Sequence, residues 1–107
     1  MVDKALSLLG LARRAGKLEP GFDAAVSAAR AKKARLLIAA ADVSEKTVKN
    51  LKYEGDRVGI PTVRIKAGMV ETGRACGVRA GVLALTDQGF AAALTQLLER
   101  EKEEHSL

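Results

Sequence analysis

The chain has one cysteine, one histidine, no tryptophan and almost no aromatic side chains, and each scarcity excludes a class of chemistry. A lone Cys76 rules out an internal disulfide or a cysteine-based metal cluster, and it fits a reducing, cytoplasmic setting. The single histidine, His105, stands in an acidic tail, so neither a histidine triad nor a histidine metal site is expected. With aromatics at 3% and alanine supplying much of the 48% hydrophobic content, the core must be built by close packing of small side chains. No apolar run approaches the roughly 20 residues of a membrane span, and no membrane partner is expected. Arg13 and Arg14 interrupt the leucine-rich start before any cleavage pattern, so that start reads as a helix and not as a signal peptide.

What the chain does have is positive charge. The net charge is +5 over 107 residues, but Glu99, Glu101, Glu103 and Glu104 lie in the last nine. The first 98 residues carry 16 basic and 9 acidic side chains, a net of +7. Neutralising phosphates releases their condensed counterions, so such a balance favours a polyanionic partner. The length suits one domain, expected over residues 1–98, with 99–107 as the acidic, fraying end of the last helix.

The stretch Gly16 to Asp23 organises the rest. It reads as a short strand that Pro20 and Gly21 stop, delivering the chain into a helix opening at Phe22-Asp23 and running to about Lys33. The first amides of such a helix have no internal partners and can bind a phosphate or hold an acidic side chain. Before it, Asp3 caps a helix with Ala5, Leu8, Leu9 and Ala12 on one face, ending at Gly16. After it, Leu36 to Ala41 reads as a central strand covered on both faces. Ser44 caps a third helix running to about Asp56, with Val48 and Leu51 inward and Lys46, Lys49, Asn50 and Lys52 outward. Thr62 to Ile65 alternates as a strand, Gly68 to Ala75 forms a short helix closed by Gly77, and Ala80 to Leu85 is an apolar strand. A last helix starts at Thr86-Asp87. This alternation of helices and strands argues for helical layers around a mostly parallel sheet.

Catalytic groups are scarce, and the chain is not expected to be an enzyme. Gly68 to Gly73 has the spacing of a phosphate loop, but Arg74-Ala75 stands where lysine and a hydroxyl residue are needed. No cofactor is implied. Three polar or flexible loops remain: Lys17 to Asp23, Asp42 to Ser44, and Gly73 to Gly81. In these, Asp23 could accept hydrogen bonds from a guanine edge, while Val78 and Arg79 could meet an unstacked base and a phosphate.

Over nearly its whole length the chain resembles the kink-turn RNA-binding family of the ribosomal protein L-seven-Ae, particularly its small bacterial members. The resemblance is carried by Leu8 to Leu18, the Gly21 helix start, Leu36 to Ser44, Ile60-Pro61, Thr72 to Val78, and Thr86-Asp87 followed by Gly89-Phe90. It implies a three-layer α-β-α sandwich with a mixed four-stranded sheet, correcting the mostly parallel arrangement. It also implies that the Gly21 helix start and the Gly77-Val78-Arg79 loop grip a sharply bent RNA. The family's Gly-Thr-Asn-Glu pattern, with a lysine three positions on, is altered here: Phe22, Asp23, Ala24 and Ser27 follow Gly21 at the corresponding positions. Asp23 can accept but not donate, and Ala24 does neither.

The resulting expectation is a non-enzymatic, ribosome-associated RNA-binding protein, monomeric when free, with no small-molecule substrate. Lys17, Gly21, Phe22, Asp23, Asp42, Arg74, Gly77, Val78 and Arg79 are its expected RNA contacts. The competing expectation is a protein-interaction module using an apolar patch around Phe22 and Val78.

Overall fold

The computed structural model describes residues 3–105; Ser106 and Leu107, the end of the segment expected to fray, lie outside the described residues. Asp3 begins the fold by accepting a hydrogen bond from the Leu6 amide, 3.2 Å, which caps α1 (Lys4–Arg14). The following elements are β1 (Leu18–Pro20), α2 (Phe22–Arg30), β2 (Leu36–Ala39), α3 (Glu45–Val58), β3 (Thr62–Arg64), α4 (Met69–Cys76), β4 (Val82–Leu85) and α5 (Gln88–His105). Ser44 and Asp87 cap α3 and α5 through the amides of Thr47 and Phe90. The second helix stops at Arg30, short of the expected Lys33. Lys32 turns into the left-handed region (φ 61°), and the amides of Lys33 and Ala34 both fold back onto the Ala28 carbonyl.

The sheet is mixed, in the order β1-β4-β2-β3. Only β2 and β3 run parallel; β4 is antiparallel to both β1 and β2. The mostly parallel arrangement suggested by the alternation alone is therefore wrong, because β4 inserts between β1 and β2 in the opposite sense. Successive strand residues serve opposite faces. Leu36, Ile38, Leu83 and Leu85 pack with α1, α4 and α5, while Leu37, Ala39, Val82 and Ala84 pack with α2 and α3. The result is the three-layer α-β-α sandwich. Alanines fill the α2 side, where Ala25, Ala28 and Ala29 bring the helix close to the sheet.

This topology puts four connections at one end of the sheet. Pro20 pairs with Leu83, and Ala39 pairs with both Val82 and Arg64, so β1, β2 and β3 finish where β4 begins.

Candidate nucleic-acid interface

At that end the backbone path is set by glycines. Gly21 takes φ 104°, ψ 151°, a conformation open only to glycine, and its amide donates to the Val82 carbonyl at 2.7 Å. Nothing lies within 4 Å of where its side chain would be, so the surface above it is open. No side chain caps α2, which leaves the first amides of that helix to solvent or a ligand. Asp23 is exposed in its first turn. Phe22 is half-buried against the α2–α3 core beside Val48 and Met69.

The second wall is the loop after α4. Gly77 closes that helix in the left-handed conformation, φ 74°, and turns Val78 inward against the α1–α4–α5 core. Gly73, inside α4, lets the returning backbone approach: a Cβ there would meet Arg79 Cα and the Val78 carbonyl at 3.3 Å. The two glycines of the phosphate-loop spacing thus make room for neighbouring segments, Gly73 for the Val78–Arg79 loop and Gly68 for the Asp42 side chain. Arg74 and Arg79 are exposed, and neither has an ion-pair partner among the described residues. Cys76 is buried, and burial pushes its thiol above the usual range, so it is poorly disposed to act as a nucleophile.

The turn after β2 binds the two walls together. Asp42 accepts a hydrogen bond from the Met69 amide at 2.9 Å and so caps α4 from a distant part of the chain, supplying what Gly68 at the N-cap lacks. Arg64 donates to the carbonyls of Ala41 (3.0 Å) and Val43 (2.7 Å) and pairs with Glu45 at 2.7 Å. That hydrogen bond and charge hold the Glu45 carboxyl below its usual range, so the bridge contributes above the ordinary carboxylate range and is lost as pH falls through the folded value. Gly81 completes the junction: a Cβ there would lie 2.7 Å from Val43 Cγ2 and 2.9 Å from Met69 Cγ. Neither the reach of Arg64 nor the close fit of Gly81, expected only as the end of a flexible loop, is legible in the sequence. A half-covered strand does not reveal that one of its outward residues is reaching for loop carbonyls.

Asp42→Ala is expected to cost about 1 kcal/mol, the usual penalty for a lost N-cap. Thermal unfolding measures it, and Asp42→Asn should recover most of the loss because an amide oxygen can also accept from Met69.

Of the expected contact residues, the structure gathers Gly21, Phe22, Asp23, Asp42, Gly77, Val78 and Arg79 at this end, with Arg74 on the adjoining turn of α4. It separates Lys17. The Lys17 carbonyl accepts from the Thr86 amide at 2.9 Å, at the far end of β1, where β4 finishes. The loop Lys17 to Asp23 therefore runs the length of β1 and places its two ends at opposite ends of the sheet. The proposed apolar patch is also divided: Phe22 and Val78 pack against opposite faces of the sheet.

The family model described as "Ribosomal protein L7Ae/L30e/S12e/Gadd45 family" matches residues 3–95. The RNA-binding protein YlxQ of Bacillus subtilis (strain 168) is 37% identical over 93 residues, covering 86% of this chain and 92% of that protein. YlxQ of Enterococcus faecium is 33% identical over 96 residues, covering 90% and 92%. A solved structure of a Bacillus halodurans protein of unknown function superposes with a TM-score of 0.84 at 33% identity, covering 90% of this chain and 97% of that one. The Giardia lamblia 15.5kD RNA binding protein shares the fold at 21% identity, TM-score 0.74, covering 94% and 89%.

Proposed function

Because the chain belongs to the ribosomal protein L7Ae/L30e/S12e/Gadd45 family, we propose that it binds structured RNA, at a kink-turn or a similar sharp bend, through the end of the sheet where α2 begins and α4 returns to β4. The carrying observation is the placement, around Gly21 and Gly77, of an uncapped helix start with Asp23 on one side and the exposed Arg74 and Arg79 on the other. Uncapped amides and guanidinium groups suit phosphates that crowd at a bend, and a carboxylate can accept from a guanine edge. The names of the two YlxQ relatives, RNA-binding proteins similar over most of both chains, support the same reading. The protein acts without catalysis, in the cytoplasm, as a monomer on ribosomal or ribosome-associated RNA. Among the described residues no group of three or more metal-ligating side chains exists, and no helix is long and apolar enough to cross a membrane.

Titrating labelled kink-turn RNA and an unkinked duplex of equal length at several salt concentrations tests this. Tighter binding of the kinked RNA is expected, weakened in Asp23→Ala, with a logarithmic salt slope of about −3 to −4 if roughly four phosphates are neutralised. Equal binding to both would overturn the preference for a bend, and no binding at low salt would overturn the function.

A further inference from the structure

The outer face of α3 lies outside this site. At 100° per residue, Lys46, Lys49, Asn50, Tyr53 and Arg57 fall within about 60° of one line along the helix. All five are exposed. The helix's three acids lie off that line and are engaged: Glu45 with Arg64 at 2.7 Å, Glu54 with Arg30 at 3.1 Å and Arg57 at 3.6 Å, and Asp56 with Lys52 at 3.5 Å. Lys46 and Lys49 have no ion-pair partner among the described residues. Tyr53 is 62% exposed, and the Arg57 guanidinium lies over its ring at 5.8 Å from the centroid. The two phenylalanines, by contrast, are half-buried against the core. The stripe starts two residues beyond Ser44, beside the candidate interface, and extends about 16 Å to Arg57.

We propose that this face is a second RNA contact, for an unpaired strand whose phosphates lie along Lys46 and Lys49 and one of whose bases stacks on Tyr53 beside Arg57. The proposal rests on the reading that the chain binds RNA and adds a surface to it. An exposed aromatic ring stacks on a base that has left its own stack, and within a duplex only the terminal pairs leave a face open, so a partner lying along the helix is single-stranded. Arg57 also pairs with Glu54 and Lys49 lies one turn from Glu45, but both acids sit to the side of the stripe, and positive charge beside a stacking ring is how proteins hold single strands without reading sequence. A Tyr–Arg pair at i,i+4 also steadies the helix slightly, but that role predicts no response to RNA.

Tyr53 is the chain's one tyrosine and there is no tryptophan, so intrinsic fluorescence reports on this ring alone. Titrating the whole protein with an eight-nucleotide oligouridylate should quench that emission. Tyr53→Ala should bind the oligonucleotide roughly 5- to 100-fold more weakly, the loss of one stacked base, while Tyr53→Phe retains binding. Absence of quenching, or wild-type affinity in Tyr53→Ala, would overturn the proposal. So would quenching by polyglutamate and not by the oligonucleotide, which would make the face a docking site for acidic protein. A blunt-ended kinked RNA should bind Tyr53→Ala as it binds the wild type. If that RNA binds neither while the oligonucleotide still quenches, the bend-binding site fails and the α3 contact stands.

Discussion

Gly55→Val is expected to destabilise the protein by about 3 kcal/mol or more, the upper part of the range for overpacking a dense core. Gly55 lies inside α3 on the side pressed against β2 and β3. A Cβ there would sit 2.6 Å from the Ile60 carbonyl oxygen, 3.0 Å from Leu37 Cδ1 and 3.1 Å from Thr62 Oγ1. The nearest of these is backbone and cannot rotate away, and the Gly55 carbonyl is itself held by the Ile60 amide at 2.8 Å. The helix must therefore move off the sheet. For alanine the gain in helix propensity, about 1 kcal/mol over glycine, offsets part of the cost; valine adds two methyl groups and loses that advantage. Against the 5–15 kcal/mol typical of a domain, the change should be plain as a lowered denaturant midpoint with an unchanged slope. A midpoint equal to wild type would mean that α3 does not rest on β3 through this glycine.

Arg79→Glu should weaken binding of kinked RNA by roughly tenfold to a hundredfold, since an attractive phosphate contact becomes a repulsive one. Arg79→Ala should weaken it less and reduce the salt slope by about 1. Arg79 is exposed and has no ion-pair partner among the described residues, so the change should leave stability within about 0.5 kcal/mol. Lys17→Glu is the internal comparison. It reverses the same charge, but at the far end of the sheet, beyond the screening length of about 8 Å at physiological salt, and should alter affinity little. Equal losses in both variants, read from the same titration, would mean that RNA responds to net charge and not to this site.

Lys17 lies at the opposite end of β1 from Gly21, a separation that the sequence does not display. Its nearness to Gly21 in the chain is real, but a strand of three residues lies between them, and a strand spends its length crossing the sheet. Elements with a strong local signal were legible: the Asp3 and Ser44 caps, the helix start at Thr86-Asp87, the apolar runs of β2 and β4, and the glycine that ends α4 all stand where their residue types place them. Strand direction was not, because helix–strand alternation says nothing of β4 inserting antiparallel between β1 and β2; only the family resemblance carried that information. Within the site, Gly21, Asp23 and Gly77 were readable from turn chemistry. Arg64 and Gly81 were not, since what they do depends on carbonyls and side chains from segments distant in sequence. Gly55 gave no signal either, because a glycine in mid-helix looks the same whether it is tolerated or required. Phe22 could be read both as a contact and as a core residue, and its half-buried seat beside Val48 and Met69 removes the continuous apolar patch that a protein-interaction module would need.

The central claim is that RNA is held where α2 begins and α4 returns to β4. Backbone amide chemical shifts recorded while a blunt-ended kinked RNA is added test it most directly. Large, concerted changes at Gly21, Phe22 and Asp23 and from Gly77 to Gly81 are expected, with Lys17, Arg35 and Thr86 at the opposite end quiet. Changes centred on Lys17, Arg35 and Thr86, with Gly21 to Asp23 unmoved, would contradict it.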